Sequence, residues 1–416
     1  MSVKILVSKV LPACYKGDLA IAKSMLATIS KTRPDWELLI LCRRPLKDAD
    51  IFSPYGKVYG ELFPPRGSLP GRVVFTRVLR YLLWLIFKIP CLDNQGRGYV
   101  NLCREANILV FCGGGSPGGY GVTNLFLHAA MPILMAKRLH KPVYLSGLTI
   151  ELPKRRLDRL LTRFILKQVD IISLRETLSV NSLEKLGVQT KQVATADWAF
   201  LLDNTSSEPI STPLDNLGVS KNDSLLIGMN LRDQGSGDSD GKTRVGSAYA
   251  TTLTKAITEV LEQTEAVIVV VSMNVPSDLK FANLIYEQLP NSLQTRVILA
   301  DNSYSPEQIK SIISVMDLFI GTRLHPTLFA LSSQVPSIAI HHMIKVKGLM
   351  NLFGLERYFL EVDSLTPQSL NDKVQELIVN QEDIRQEISN KLPSVEKAVY
   401  KNIEMLESLL VKNGVK

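Results

Sequence analysis

Short runs of apolar and β-branched residues alternate with longer stretches of helical period along most of this chain of 416 residues. Runs of roughly four to eight such residues are typical of strands buried on both faces of a parallel sheet. In the first half, the predicted strands lie at residues 3–10, 37–43, 107–112, 142–148 and 170–174. The predicted helices between them lie at residues 18–30, 125–139, 155–167 and 176–186.

The alternation is interrupted at residues 203–224, where Asn, Ser, Pro and Asp dominate and periodicity disappears. Beyond the interruption, predicted strands lie at residues 225–231, 266–272, 296–300, 317–320 and 337–341. Predicted helices lie at residues 247–263, 278–289, 306–315 and 347–353, with a charged helical stretch at 368–411. Alternating strands and helices of this kind predict parallel sheets with ligands at the carboxyl ends of the strands.

The pattern predicts the α/β fold class, with two Rossmann-like domains facing across a cleft. This division agrees with the length, because 416 residues exceed what one hydrophobic core usually holds. The predicted parts are an N-terminal domain at 1–205, a linker at 206–224, a C-terminal domain at 225–385 and a helical segment at 386–416. We expect the N-terminal domain to bind the acceptor of a reaction and the C-terminal domain to bind the donor.

Composition narrows the classes of protein to which the chain can belong. A net charge of +8, spread along the chain, suits an acidic substrate or an anionic membrane surface and does not indicate nucleic acid binding. The five cysteines show no CxxC spacing, so neither a disulfide framework nor a zinc site is expected. No signal peptide and no apolar run of about 20 residues is recognised, so we expect a cytoplasmic location.

Polar residues follow several predicted strands of the C-terminal domain. They are Arg232, Asn274, Asp301, Arg323 and His325. In a parallel sheet, these positions open into one crevice. Arginine binds carboxylate and phosphate groups bidentately, so two arginines around one crevice predict a substrate with several negative charges.

His325 and Lys345 each allow two interpretations. An imidazole with an ordinary pKa near 6.5 can exchange a proton at neutral pH, but most histidines are structural. Lys345 follows the last buried strand and is either simply solvated or placed at the mouth of the crevice. No histidine-based metal spacing such as HExxH occurs, so no metal site is predicted.

The N-terminal domain contributes a glycine run and two aspartates. Gly113, Gly114 and Gly115 follow a predicted strand, and their backbone N–H groups either cradle an anion or simply keep the loop small. Asp18 lies at the first strand-to-helix turn, either as a helix N-cap or as a base facing the cleft. Asp197 allows the same two interpretations.

The segment at residues 72–88 departs from the alternation. It joins three arginines and a terminal lysine to an apolar run rich in aromatic residues. Such a helix either lies in a membrane interface or packs in the core with its basic side chains reaching solvent. Both interpretations fit this composition.

Several of these segments together resemble the polysaccharide pyruvyl transferase family over nearly the whole chain. The most specific is Met316–His325, read as MDLFIGTRLH. The others, in order, are GDLA at 17–20, CGGG at 112–115, SLRE at 173–176, TADWAF at 195–200 and NLR at 230–232.

The resemblance implies an enzyme with a GT-B-like fold that moves an enolpyruvyl-derived group from phosphoenolpyruvate onto a sugar as a pyruvate ketal. It implies no cofactor, because phosphoenolpyruvate is a co-substrate. Within this reading, His325 is the general acid, and Arg323, Arg232 and Lys345 bind the donor's charges. Asp18 orients or deprotonates the acceptor, a sugar or a lipid-linked saccharide, and peripheral contact with the inner membrane is possible.

Two other functions fit the same sequence. The first is a nucleotide-sugar glycosyltransferase of the GT-B type, with Arg232 and Lys345 on a diphosphate. The second is a carbohydrate-binding or assembly protein with a degenerate cleft. The donor discriminates between the enzymes, because each would be stabilised by its own donor.

Overall fold

The computed structural model describes two compact units. Described residues are 2–64, 68–115, 122–203, 217–218, 224–233, 248–300 and 304–415. The first unit comprises Met1–Ala13, Asp18–Leu201 and Glu396–Lys416. The second unit comprises Cys14–Gly17 and Leu202–Val395. Most of the linker predicted at 206–224 lies outside the described residues, as does Asp301.

The first unit is built on a seven-stranded sheet with the order β3-β2-β1-β4-β5-β6-β7, and every neighbouring pair is parallel. Strands β4, β5 and β6 are buried throughout, and β1 is buried except at its two lysines, as expected for a sheet covered on both faces. The strands are β1 Lys4–Val10, β2 Glu37–Cys42, β3 Lys57–Gly60, β4 Ile108–Phe111, β5 Val143–Leu148, β6 Ile171–Leu174 and β7 Lys191–Ala194.

Eight helical segments connect these strands. They are α1 Lys16–Thr32, α2 Pro45–Phe52, α3 Gly71–Phe87, α4 Asn94–Glu105, α5 Val122–Leu125, α6 Met131–Arg138, α7 Arg156–Leu166 and α8 Leu178–Lys185. A π-helical turn at Phe126–Ala130 joins α5 to α6. The connections from β3 to β4 and onward to β7 all run in the same direction across the sheet. Because such crossovers are right-handed, they place α3 to α8 on one face of the sheet.

The end of the C-terminal helix Gln381–Lys412 belongs to the first unit and covers the opposite face of its sheet. The buried Asn402 side-chain oxygen accepts hydrogen bonds from Tyr144 (2.8 Å) and Ser173 (2.6 Å) of strands β5 and β6. Ser146 donates to the same oxygen at 3.3 Å. This single amide therefore fixes the last part of the chain to the sheet.

The second unit is built on a six-stranded parallel sheet with the order β10-β9-β8-β11-β12-β13. Its strands are β8 Leu226–Asn230, β9 Val267–Val270, β10 Val297–Leu299, β11 Leu318–Gly321, β12 Ser337–His341 and β13 Phe359–Glu361. Its helices are Ala248–Gln263, Ser277–Gln288, Asn291–Gln294, Pro306–Ser314, Leu324–Ser332, Ile344–Phe353 and Pro367–Val379, followed by the start of Gln381–Lys412. The predicted fold class is confirmed. Short 3₁₀ turns lie at Trp198–Leu201, Glu356–Tyr358 and Val362–Ser364.

The pattern missed the peripheral elements. Strands β3, β7 and β13 are three or four residues long and partly exposed, so they lack the buried apolar run that marks a central strand. The helical stretch predicted at 368–411 is two helices that meet at Asn380. Among the described residues, none of the helices combines the length and apolarity needed to cross a membrane.

Candidate functional site

Four adjacent strands of the second unit deliver its predicted site residues to one edge of the sheet. In the order β9, β8, β11 and β12, the strands are followed by Asn274, by Arg232, by Arg323 with His325, and by Lys345. Strand order reverses between β8 and β11, and the crevice at such a switch point is where open α/β sheets bind ligands. The arrangement brings three cations and an imidazole to that crevice.

Arg323 is held by a buried carboxylate, which sequence reasoning missed. Its Nε donates to Oδ2 of Asp278 at 2.7 Å, and its Nη2 donates to Oδ1 at 2.5 Å. Asp278 is only 1% exposed and also accepts from the backbone N–H groups of Met273 and Asn274. One edge of the guanidinium is therefore fixed in place by this pair, which does not use Nη1.

His325 is the second residue of the helix Leu324–Ser332 and packs against Gly17, which belongs to the same unit. A Cβ atom added at Gly17 would come within 2.8 Å of the imidazole Cγ and Cε1 atoms. The segment that carries Gly17 is itself anchored by an antiparallel bridge between Tyr15 and Asn274. Only glycine at position 17 therefore leaves enough space for the imidazole of His325.

Arg232 and Lys345 are both half-buried. Lys345 lies in the first turn of the helix Ile344–Phe353, and Arg323 immediately precedes the helix Leu324–Ser332. The first N–H groups of a helix carry partial positive charge, and they add to neighbouring cations. The edge of this sheet is thus suited to a ligand with more than one negative charge.

The first unit has its own switch point, between β1 and β4. Asp18, in the first turn of α1, lies beside Gly114, whose added Cβ would be 3.1 Å from the carboxylate Oδ1. Gly114 has a φ of +122°, which favours glycine, and its N–H donates to the carbonyl of Gly147. That N–H is therefore already used, and Asp18 is the third residue of its helix and not the N-cap.

The remaining glycines of the run differ in role. An added Cβ at Gly113 would lie 3.0 Å from the carbonyls of Ser146 and Gly147, so close backbone packing requires glycine there. The carbonyl of Gly115 accepts a hydrogen bond from Nζ of Lys9 at 2.8 Å. The rest of the run, residues 116–121, lies outside the described residues.

Lys9 is a second residue that sequence reasoning missed. It has a left-handed backbone, with a φ of 63°, where the register of β1 against β2 shifts between Val7 and Val10. Burial lowers the pKa of Lys9 to about 8, against the opposing charge of Asp18. A lysine near the carboxyl end of the strand KILVSKV is the sequence signal that could have found it.

A buried ionic cluster lies behind this switch point. Arg175 donates to Asp197 at 2.5 Å and to Oγ1 of Thr149 at 2.8 Å, and Glu176 lies 3.9 Å from its Nε. Burial alone would lower the pKa of Arg175, but the charges of Asp197 and Glu176 raise it instead. Burial raises the pKa of Glu176. Asp197 thus pairs with a buried arginine, which supports the structural interpretation of that residue.

Comparisons with known proteins agree with the resemblance to polysaccharide pyruvyl transferases that the sequence segments indicated. The sequence profile of polysaccharide pyruvyl transferase matches residues 16–342. The amylovoran biosynthesis protein AmsJ of Erwinia amylovora is 26% identical over 398 residues, which cover 90% of this chain and 92% of that protein. The family segments that meet in the structure, such as SLRE and TADWAF through Arg175 and Asp197, lie inside the matched range.

Solved structures with the same fold include a glycosyltransferase and a putative UDP-N-acetylglucosamine 2-epimerase from Listeria monocytogenes. The glycosyltransferase, from Rickettsia africae, has a TM-score of 0.63 at 12% identity and covers 98% of both chains. Anabaena Alr3699/HepE, solved with UDP and glucose, has a TM-score of 0.62 at 13% identity and covers 98% of this chain and 99% of its own. At such low identity, these likenesses show the GT-B fold.

Proposed function

Because the chain belongs to the polysaccharide pyruvyl transferase family, we propose that it transfers the enolpyruvyl-derived group of phosphoenolpyruvate to a sugar as a pyruvate ketal. The observation that carries the proposal is the set of charges at the switch point of the second unit. Arg232, Arg323, Lys345 and His325 follow adjacent strands there. Phosphoenolpyruvate carries a carboxylate and a phosphate, and these cations complement both groups.

The donor site would divide the charges of phosphoenolpyruvate among these cations. Arg323 is preoriented by Asp278, so binding would cost little side-chain entropy, and its Nη1 end would meet one anionic group. Arg232 and Lys345 would meet the other. Such fixed charges also stabilise charge that develops in the transition state.

The chemistry begins with a proton. His325, as the imidazolium, would protonate the methylene carbon of phosphoenolpyruvate, leaving an oxocarbenium-like centre at C2. A sugar hydroxyl then adds to C2 and loses its proton, and the bond from C2 to the phosphate oxygen breaks to release phosphate. A second hydroxyl of the sugar closes the ketal at C2 and loses its proton, so the net products are the ketal and inorganic phosphate.

The acceptor hydroxyl requires a base or an orienting group. Asp18 has a carboxylate beside the backbone of Gly114 at the switch point of the first unit, and we assign it that role. The acceptor would be a sugar of a polysaccharide or of a lipid-linked saccharide. The relative AmsJ is named for the biosynthesis of amylovoran, which supports a saccharide product here.

A calorimetric titration with phosphoenolpyruvate tests the donor site. We expect the wild type to bind, and Arg323→Ala and Arg232→Gln to bind at least ~30-fold more weakly, because truncating one partner of a desolvated charge pair costs roughly 2–5 kcal/mol. Arg323→Ala also leaves Asp278 buried and unpaired, so Arg232→Gln is the variant that separates binding from folding. Binding of a nucleoside diphosphate in place of phosphoenolpyruvate would instead indicate glycosyl transfer.

A substitution of His325 tests the general acid. His325→Gln keeps hydrogen-bonding capacity but cannot deliver a proton, so turnover should fall by roughly 10²–10⁴-fold. Phosphoenolpyruvate affinity should stay nearly unchanged in the same titration. A variant with wild-type turnover would remove His325 from this role.

A further inference from the structure

Helix α7 carries an exposed apolar stripe in addition to the apolar side chains that it buries. Leu157 and Leu160 are each 64% exposed and Phe164 is 49% exposed, and their spacing places them on one stripe. The opposite side of the helix packs inward and buries Ile165 and Leu166 together with two polar residues. The exposed leucines and phenylalanine are therefore not needed to pack the helix on its own unit, and they form an outer apolar face suited to a partner.

Helix α3 shows the same feature. Phe75, Leu79 and Ile86 are 70%, 47% and 64% exposed and share one stripe, while Tyr81 on the other side is fully buried. The segment that was predicted either to lie in an interface or to pack in the core therefore does pack inward, through Tyr81. It nevertheless leaves an apolar stripe outside.

The two helices lie on the same face of the first unit's sheet. Helix α3 packs against α6, and α7 packs against α5 and the π-helical turn, which form one continuous helical stretch with α6. Side chains from the inner sides of α3 and α7 also belong to one hydrophobic core. We call the outer stripes of both helices, with the basic residues beside them, the α3–α7 surface.

Exposed apolar residues concentrate on this surface. Of the fifteen large apolar side chains that are well exposed among the described residues, nine lie on α3, on α7 or within two residues of them. Residues 71–88 and 154–167 together carry ten basic side chains, of which all but Arg77, paired with Asp93, are exposed, and a single acidic one, Asp158, which is buried. The surface is thus both apolar and strongly cationic.

We propose that the α3–α7 surface docks on an anionic lipid surface. Leucine, isoleucine and phenylalanine would enter the boundary between headgroups and acyl chains, and the arginines and lysines would meet the lipid phosphates. The helices lie on the membrane in this arrangement, because α3 and α7 have 17 and 11 residues and neither can cross it. A second copy of the chain is a poorer occupant, because it would bring two cationic surfaces together.

This inference deepens the proposed function, because docking would bring the enzyme to a lipid-linked acceptor. It rests on the proposed function only for the reason why the protein would be at a membrane. Binding to vesicles can be measured without any substrate. Failure of the docking and failure of the pyruvyl transfer therefore give separate results.

Vesicle flotation with two triple variants tests the docking. The probe is vesicles of phosphatidylglycerol mixed with phosphatidylcholine, compared with phosphatidylcholine alone. We expect Leu157→Gln with Leu160→Gln and Phe164→Gln to lower the partition coefficient on the anionic vesicles at least ~10-fold, because three well-exposed apolar contacts are lost. The corresponding variant of Phe75, Leu79 and Ile86 should do the same.

A charge variant and matched controls complete the experiment. Replacing Lys154, Arg155 and Arg156 with Gln should weaken binding and reduce its salt dependence. The apolar control replaces Leu46, Val379 and Val411 with Gln. These three side chains are at least as exposed as those of the two stripes but lie elsewhere on the protein. The charge control replaces Lys391, Lys397 and Lys401 with Gln, all exposed on the C-terminal helix. Both controls should bind vesicles like the wild type.

The outcomes decide the proposal. All substituted residues lie on the surface. Each variant should therefore bind phosphoenolpyruvate with wild-type affinity and turn over a water-soluble acceptor at the wild-type rate. If the two apolar triples bind the anionic vesicles as well as the controls do, the α3–α7 surface is not the docking site. If the wild type ignores anionic vesicles and is a dimer that these triples dissociate, the surface is an interface between copies and the proposal is wrong.

Discussion

Replacing Lys9 with Met should change the free energy of unfolding by an amount that depends on pH, because the charge of Lys9 is buried in the wild type. The folded protein holds the Lys9 pKa at about 8, against 10.5 for an ordinary lysine. Below about pH 8, both folded and unfolded chains carry the proton, and the folded state bears the full cost of the buried charge. Between about pH 8 and 10.5, the unfolded chain binds more protons, so the stability of the wild type rises with pH.

The magnitude follows from the size of the shift. One pKa unit corresponds to about 1.36 kcal/mol, so the fall from 10.5 to about 8 corresponds to roughly 3 kcal/mol. Lys9→Met lacks the titrating group. The free energy of unfolding of the wild type minus that of the variant should therefore rise by roughly 3 kcal/mol across this interval. At neutral pH the variant should be at least as stable as the wild type, because removal of the buried charge outweighs or matches the loss of its hydrogen bond to Gly115.

Urea unfolding followed by tryptophan fluorescence is the appropriate assay. All three tryptophans, Trp36, Trp84 and Trp198, belong to the first unit, as Lys9 does, so the signal reports that unit. Lys57→Met is the control, because Lys57 is exposed and its pKa is raised by Glu37. Its difference from the wild type should not rise over the same interval. A Lys9 difference that stays constant with pH would refute the argument.

Three further predictions concern buried contacts within the two units. Arg175→Met leaves the carboxylate of Asp197 buried without its partner and should cost roughly 3–5 kcal/mol in urea unfolding; adding Asp197→Leu should recover part of that loss. Gly17→Ala should displace the His325 imidazole and lower kcat by roughly 10²-fold, with little change in unfolding, whereas an unchanged kcat would show that the position of the ring is unimportant. Asn402→Ala leaves buried donors unsatisfied and should cost roughly 1–3 kcal/mol, seen as a lower urea midpoint by tryptophan fluorescence.

The central strands and the strand-end residues could be predicted from the sequence because they depend on local pattern. Strands such as β4, β9 and β11 are continuous apolar runs, and a residue that follows such a run must lie at the carboxyl edge of the sheet. Arg232, Arg323 and His325 were predicted to share one edge for that reason. The roles assigned to them in catalysis stay predictions until the titrations are made.

Short edge strands and partners distant in sequence could not be predicted. Strand β13 has three residues, only partly buried, and its position depends on pairing with β12. The contact of Asp278 with Arg323 spans 45 residues, and nothing in the local pattern around Asp278 distinguishes it from a helix-capping aspartate. The position of Lys9 in its strand could draw notice in the sequence, but its left-handed backbone and its contact with the carbonyl of Gly115 are known only from the structure.

The sequence by itself determined the alternation of strands and helices, the division into two Rossmann-like units and the likeness to a family, because each is written in periodicity and in local motifs. The tertiary structure decided which charges are paired and which helix faces remain exposed. Leu157 and Asp158 are neighbours in the chain, yet the leucine faces outward and the aspartate is buried. Helical period identifies a stripe of residues, but only the packing of the helix against its sheet determines which stripe meets the core.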